Sequence, residues 1–314
     1  MKGRNLAGAV IALAAVLAGW GVATSWAPDR PVEALTARWA QPPSQFVVVN
    51  GMRVHLRDEG PRDDPEPIVL LHGTSASLHT WDGWAAALRG RRRVIRMDMP
   101  GFGLTGPTPH GDYRISAYVR FATAVMDQLG VRTAVIGGNS FGGNVAWKVA
   151  VDHPDRVSRL VLVDASGYPF NPQSIPIGFK LAHVKALQPL MRNLLPRGII
   201  ESSVRNVYGH PDRITPDLVD RYYELALREG NRSALPERLD QVPRGELWEQ
   251  IKQVRQPTLI LWGGQDHLIP RSAAQRFQED IAGSQLTIFE DLGHVPHEED
   301  PARTVAVVQS FLAR

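Results

Sequence analysis

A serine between glycines is the first residue in this chain with the surroundings of a nucleophile. Residues 138–142 read Gly-Asn-Ser-Phe-Gly, a G-x-S-x-G pattern with Ser140 at its centre. A short apolar run, Ala134 to Ile136, precedes the pattern and a segment of helical period follows it. Strand, sharp turn and helix in that order hold a serine hydroxyl clear of the end of a sheet. The pattern therefore predicts nucleophilic catalysis by Ser140.

A serine hydroxyl needs a base, and a histidine late in the chain has a suitable context. His294 follows Gly293 in a loop just past a predicted strand, where an imidazole can reach the edge of a sheet. His297 is the alternative, and we expect it to make an ordinary polar contact. The ten histidines show no metal-ligand spacing such as H-E-x-x-H, so no metal site is predicted.

The base must be oriented by an acid, for which two aspartates qualify. Asp266 follows the predicted strand Thr258 to Trp262 in a glycine-containing loop, one helix before the histidine strand. Asp164 also follows a predicted strand but stands where a long insertion begins, and we expect it to cap a turn or helix there. We therefore predict Asp266 as the acid of a Ser-Asp-His triad.

An acyl transfer also needs backbone donors for the oxyanion. One is expected to be the N–H of Phe141, directly after the nucleophile. The other is expected in the loop after the strand Ile68 to Leu71, where Thr74 is preferred over Ser75. None of these steps requires a cofactor, and none is predicted.

Composition narrows the possible partners. The 314 residues carry 35 Lys and Arg against 32 Asp and Glu, and Lys2 and Arg4 supply two of the three net positive charges. So small a charge on the body argues against nucleic acid and leaves a small-molecule substrate as the expected partner. Cysteine is absent, which excludes disulfides and a cysteine nucleophile. The oligomeric state stays open.

The first 28 residues predict a membrane anchor or a signal segment. Lys2 and Arg4 precede the apolar run Leu6 to Val22. An uncleaved anchor in the cytoplasmic membrane, with the catalytic body outside the cytoplasm, is favoured by the length of the run. Cleavage near residues 21–23, which would give a periplasmic or secreted protein, is the alternative.

The elements that must position these residues follow an α/β rhythm. Residues 29–45 are interpreted as a tether, and Asn50-Gly51 between two β-rich runs predicts a hairpin. From Ile68 short apolar strands alternate with helices, which predicts a mostly parallel sheet with helices on both faces. The rhythm stops over 166–253, so a core of 46–165 and 254–314 is expected to carry an inserted helical cap.

Over Phe46 to Arg314 the chain resembles α/β-hydrolase-fold enzymes. The resemblance is carried by the residues described above, together with His72-Gly73 and residues 98–103, Asp-Met-Pro-Gly-Phe-Gly. The spelling Gly-Asn-Ser-Phe-Gly-Gly is similar to that of the meta-cleavage product hydrolases, which split carbon-carbon bonds of vinylogous diketones. Those enzymes usually carry further glycines and a proline after His-Gly, where this chain has Thr-Ser-Ala-Ser at 74–77.

This difference makes ester cleavage the leading functional expectation. The chain is predicted to be a cofactor-free serine hydrolase of small to medium carboxylic esters, acting through an acyl-enzyme on Ser140. A carbon-carbon hydrolase that uses the same residues is one alternative. The other is a ligand-binding or signalling protein on the same fold.

Overall fold

An eight-stranded sheet forms the centre of the fold, which a computed structural model describes for residues 19–314 except 183, 185 and 187. In chain order the strands are β1 Ser44–Val49, β2 Met52–Glu59, β3 Ile68–Leu71, β4 Val94–Met97, β5 Ala134–Asn139, β6 Val157–Val163, β7 Thr258–Gly263 and β8 Gln285–Phe289. Their order across the sheet is β1-β2-β4-β3-β5-β6-β7-β8. The first two strands pair antiparallel, β2 pairs antiparallel with β4, and the remaining neighbours are parallel. The predicted mostly parallel α/β sheet is confirmed.

Helices cover both faces of this sheet. In chain order, the helices from residue 32 onward, including those away from the sheet, are α1 Val32–Trp39, α2 Asp82–Leu88, α3 Ile115–Gln128, α4 Phe141–Asp152, α5 Ile177–Ala182, α6 Gln188–Met191, α7 Arg197–Val207, α8 Pro216–Ala226, α9 Asn231–Gln241, α10 Arg271–Asp280, α11 Pro296–Glu299 and α12 Pro301–Leu312. Side chains of β3 alternate between two apolar layers, as the two-residue period of a strand requires. Val69 belongs to the layer that contains Val145 of α4, and Leu70 belongs to the layer that contains Trp84 of α2. The sheet is therefore buried on both sides.

The segment between β6 and β7 forms the helices α5 to α9, and no strand occurs in its described residues. Since β6 and β7 are parallel neighbours, the segment leaves the sheet at the carboxyl end of β6. Helix α8 begins at a side-chain cap, because Thr215 Oγ1 accepts a hydrogen bond from the N–H of Leu218 at 3.2 Å. We refer to the described residues of 166–253 as the cap.

Residues 29–45, interpreted from sequence as a tether, contact the cap. Leu35 of α1 is 1% exposed and packs with Leu225 of α8. Glu224 receives a hydrogen bond from Trp39 Nε1 at 2.7 Å and one from Arg38 Nη1 at 3.0 Å. The apolar face of α1 is covered by the cap, so the segment contributes to the folded body before Phe46.

The predicted anchor, Leu6 to Val22 within residues 1–28, lies almost wholly outside the described residues. The described part of that segment is helical over 19–25. Among the residues described, no helix combines the length and the apolar character needed to cross a membrane.

Candidate active site

Ser140 stands on a sharp turn between β5 and α4. Its backbone angles are φ 53° and ψ −117°, a conformation that costs a non-glycine residue about 1–3 kcal/mol. The turn is held because the N–H of Ser140 donates to the carbonyl oxygen of Val163 at 3.0 Å and its own carbonyl accepts from the N–H of Asn144 at 3.1 Å. A Cβ at Gly138 would lie 2.2 Å from the carbonyl oxygen of Gly142, so glycine is required where strand and helix cross.

The structure brings Asp266 and His294 together. Asp266 Oδ2 lies 2.7 Å from His294 Nδ1, and both side chains are buried. The other carboxylate oxygen of Asp266 accepts from the N–H groups of Leu268 at 2.8 Å and Ile269 at 2.9 Å. These bonds fix the carboxylate, so it can orient the imidazole with the Nε2 face free for the nucleophile.

The backbone of His294 is tied both to the serine turn and to the cap. Asn139 Nδ2 donates to the carbonyl oxygen of His294 at 3.0 Å and to that of Val163 at 3.1 Å. The N–H of His294 donates to the carbonyl oxygen of Val207, the last residue of α7, at 2.8 Å. Ser140 and His294 line one cavity of about 150 Å³. Sequence reasoning overlooked Asn139, although its place before the serine was an available signal.

Asp164, the acid not preferred from sequence, lies beside the same pair. It is fully buried, and its Oδ1 accepts from the N–H of Gly263 at 2.9 Å, which links the ends of β6 and β7. Its Oδ2 has no hydrogen-bond partner among the described residues. Burial and the charge of Asp266 raise the pKa of Asp164 well above its usual range, which favours the protonated form of Asp164.

One oxygen or nitrogen of each of Asp164, Asp266 and His294 lies within 4.8 Å of the others. Such a group has the composition of a metal site. The atoms that would bind the metal, however, already form the 2.7 Å contact between Asp266 and His294. The arrangement therefore matches an oriented base better than a metal site.

His297 lies apart from this arrangement. Its Nε2 is 3.0 Å from Thr80 Oγ1, and its ring packs on Trp81 with 4.0 Å between ring centroids. Burial lowers the pKa of His297 well below its usual value, so the imidazole is neutral. The contact with Thr80 is of the ordinary polar kind expected for His297 from the sequence.

The residues expected to bind the oxyanion lie at the same cavity. Phe141 is the first residue of α4, where a backbone N–H has no acceptor within the helix. Thr74 lines the cavity next to Gly73, at which a Cβ would lie 3.2 Å from the Cβ of Ser140. His72 holds this loop, because its Nδ1 lies 2.7 Å from the carbonyl oxygen of Gly73 and its Nε2 accepts from the N–H of Met99 at 2.9 Å.

A buried arginine also lines the cavity, and sequence reasoning did not identify it. Arg238 of α9 is 5% exposed, and its guanidinium carbon lies 4.5 Å from the ring centroid of Phe141. No carboxylate of a described residue pairs with it, and its Nε has no hydrogen-bond partner among those residues. Desolvation lowers the pKa of Arg238 to about 10, which leaves it cationic at neutral pH. The cavity thus contains an uncompensated positive charge.

Comparisons with known proteins agree with this geometry. A family model described as alpha/beta hydrolase fold matches residues 66–301. The 2-hydroxymuconate semialdehyde hydrolase of Pseudomonas sp. (strain CF600) is 30% identical over 281 residues, which cover 85% of this chain and 93% of the relative. The 2-hydroxy-6-oxo-2,4-heptadienoate hydrolase of Pseudomonas putida is 30% identical over 283 residues, covering 86% and 96%. A solved meta-cleavage product hydrolase from Pseudomonas fluorescens IP01 has a TM-score of 0.73 at 26% identity, covering 86% and 97%.

Proposed function

The chain belongs to the family of α/β-hydrolase-fold enzymes, and from that premise we propose that it is a serine hydrolase that cleaves a carbon-carbon bond in an acidic vinylogous diketone. Relatives 30% identical to it are named as hydrolases of 2-hydroxymuconate semialdehyde and of 2-hydroxy-6-oxo-2,4-heptadienoate. They favour carbon-carbon cleavage over the ester cleavage expected from sequence.

The observation that carries the proposal is the unpaired Arg238. A heptadienoate bears a carboxylate, and a desolvated guanidinium binds a carboxylate through charge-assisted hydrogen bonds. Arg238 supplies that cation beside Phe141, within the cavity that Ser140 and His294 line. A neutral ester would leave the buried charge without a partner, which is unfavourable.

The loop at 74–77 does not oppose this proposal. The departure of this loop from the glycine-containing spelling of the carbon-carbon hydrolases is what makes esters the expectation from sequence. Glycines readily adopt positive φ, but Ser75 has φ 60°, so the loop takes a left-handed turn without a glycine there. The difference in spelling therefore carries less weight than it does in the sequence alone.

The proposed reaction uses each residue in one role. The diketone is first converted to its keto tautomer. Ser140 Oγ then attacks the carbonyl carbon as His294 accepts the hydroxyl proton, and the Thr74 and Phe141 N–H groups stabilise the oxyanion. The carbon-carbon bond breaks, its electron pair stays on the departing dienoate carbon, and His294 protonates that carbon. Water, activated by His294, then releases the acid from Ser140.

Ester hydrolysis through the same acyl-enzyme is the second candidate, favoured by the Thr-Ser-Ala-Ser spelling at 74–77. In that reaction the leaving group is an alcohol, which takes the proton from His294. The two candidates differ in what binds the leaving half of the substrate. Only the first requires an anion site.

Parallel assays of a 2-hydroxy-6-oxo-dienoate and an aryl butyrate test the proposal. We expect the dienoate to have at least about tenfold the kcat/KM of the ester, a difference of about 1.4 kcal/mol in transition-state stabilisation. Arg238→Gln is expected to lower kcat/KM for the dienoate about 100-fold and for the ester by less than about threefold. Arg244→Gln removes a cation from the exposed rim of the same cavity and serves as the control.

Faster turnover of the ester would reverse the order of the two candidates. Equal losses for both substrates in Arg238→Gln would show that the arginine does not bind a substrate anion. Tight binding of either compound without turnover would favour a ligand-binding protein on this fold.

A further inference from the structure

A second cavity lies against the catalytic one. Its volume is about 740 Å³, whereas the cavity at Ser140 holds about 150 Å³. Thr74, Phe179, Val207 and Tyr222 line both, so the two spaces meet at these residues. Ligand sites commonly enclose about 300–1,000 Å³, so the larger cavity has the size of a ligand site and the smaller one holds only the reacting group. We call the larger one the chain pocket.

The walls of the chain pocket are mainly aliphatic. Leu181 of α5 and Ile199 and Ile200 of α7 are among its lining residues. Four charged residues also line it, and one of them, Arg232, is paired because its Nε donates to Asp29 Oδ1 at 3.0 Å. The others are Arg192, Glu237 and Asp240. Water gains little in such a space, and an apolar chain gains free energy by leaving water for it.

The outer wall of the chain pocket comes from the N-terminal segment. Gly21, Val22 and Ser25 line it. Two backbone hydrogen bonds of 2.9 Å hold this wall to the cap, from the N–H of Ala27 to the carbonyl oxygen of Asn193 and from the N–H of Leu195 to that of Ser25. These residues precede the family match, which begins at residue 66. The wall therefore lies outside the part of the chain that the family model matches.

The N-terminal wall carries exposed apolar side chains. Val22 lines the pocket and is 49% exposed, and Trp20 and Trp26, close to it in the chain, are 68% and 58% exposed. Exposed apolar side chains at and beside a pocket wall favour an apolar ligand there.

We propose that residues 21–25 determine substrate specificity, by closing a pocket for a long unbranched apolar chain attached to the carbonyl that Ser140 attacks. The inference rests on the proposed function only in placing that carbonyl at Ser140. Arg238 lines the catalytic cavity but not the chain pocket. The anionic and apolar ends of the substrate therefore point in different directions from the serine, and the substrate is an amphiphile whose acyl side carries the chain.

Binding of straight-chain methyl ketones of 5 to 11 carbons to the full-length protein, measured by calorimetry, tests the inference. The ketones cannot be hydrolysed, so the result does not depend on turnover. We expect affinity to rise about three- to fourfold for each added methylene, as burial of a CH₂ predicts, with a negative heat-capacity change.

Two matched pairs of variants locate the chain. Gly21→Leu adds a side chain to the pocket wall, while Gly19→Leu makes the same change two residues away at a position that does not line the pocket; a Cβ at either glycine meets no atom within 4 Å. Ile199→Trp fills the pocket from the cap, and Gly198→Trp places the same residue in open space. We expect Gly21→Leu and Ile199→Trp to stop the rise in affinity at shorter chains, and the other two variants to leave it unchanged.

Affinity that does not rise with chain length would overturn the inference, and so would an equal response of Gly21→Leu and Gly19→Leu. Should Ile199→Trp fail to fold, Leu181→Trp fills the same pocket from α5. The proposed reaction fails separately: rising ketone affinity without dienoate turnover would retain the chain pocket and reject carbon-carbon cleavage. Dienoate turnover together with a ketone affinity that does not change with chain length would retain carbon-carbon cleavage and reject the chain pocket.

Discussion

Ser140 and His294 line one cavity, and Asp266 lies behind His294 at 2.7 Å. The three residues follow the parallel strands β5, β8 and β7. Only the serine stands in a strained backbone conformation, which the Val163 and Asn144 hydrogen bonds maintain. A fluorophosphonate probe should label the protein at Ser140, and Ser140→Ala should abolish labelling because no other residue receives the same activation. Mass spectrometry of the labelled peptide checks this. Labelling that survives the substitution would exclude Ser140 as the nucleophile.

The two aspartates beside His294 should respond differently to amidation. Asp266→Asn is expected to lower kcat about 10⁴-fold, since the amide cannot stabilise the tautomer and imidazolium that the reaction needs. Asp164→Asn should retain activity within about threefold, because its amide oxygen can still accept from the N–H of Gly263. Steady-state kinetics of both variants decide the assignment. An inactive Asp164→Asn with an active Asp266→Asn would exchange the two roles.

Asp164 also predicts a pH dependence of stability. Its raised pKa means that the folded protein holds a proton which the unfolded chain releases above about pH 4. The free energy of unfolding should therefore fall as pH rises from that value through the folded pKa. Asparagine has no such proton, so the stability of Asp164→Asn relative to the unsubstituted protein should increase from pH 5 to pH 8. Urea unfolding of both proteins across this pH range measures the difference. If the free energy of unfolding depended on pH in the same way for both, Asp164 would not hold the proton.

At the scale of residues, the candidate catalytic residues that the sequence predicts are those with a recognisable pattern in the adjacent chain. Ser140 has its glycines, and His294 and Asp266 follow strands. Arg238 could not be found in this way, because its significance comes from the absence of a partner in space. The proximity of Asp164 to Asp266 likewise depends on the pairing of β6 with β7.

At the scale of elements, substitutions in α1 test whether this helix packs on the cap. Leu35→Ala should lower the free energy of unfolding by about 2–4 kcal/mol, since Leu35 is buried between α1 and α8 and the cap cannot close the space completely. Glu33→Ala, at an exposed position of the same helix, should change it by less than about 1 kcal/mol. Thermal or urea unfolding of both variants gives the values. Equal small effects would mean that α1 is not docked in solution.

Elements with strong periodicity were predicted closely. Strand β3 has the predicted bounds, Ile68–Leu71, and the predicted Asn50-Gly51 hairpin pairs Val49 with Met52. The packing of α1 could not be predicted, since its partner lies in the cap almost 190 residues away.

For the whole molecule, the N-terminal segment should contribute to stability as well as to the chain pocket. A chain that begins at residue 41 lacks Ala27, Leu35 and Trp39, which contact the cap. We expect its melting temperature to be at least about 5 °C below that of a chain that begins at residue 19, since a loss of several kcal/mol shifts a protein of this size by that much. Differential scanning calorimetry of the two proteins makes the comparison. Equal melting temperatures would show that the segment adds nothing to the fold.

The hydrogen bond between Arg38 and Glu224 joins residues 186 positions apart. A ribosome that adds about 5–20 residues per second needs about 10–40 s to make the intervening chain. During that interval the apolar side of α1 has been synthesised while its binding surface has not. Nascent chains therefore expose Leu35 and Trp39 to chaperones, or to one another, before the cap has been synthesised to cover them.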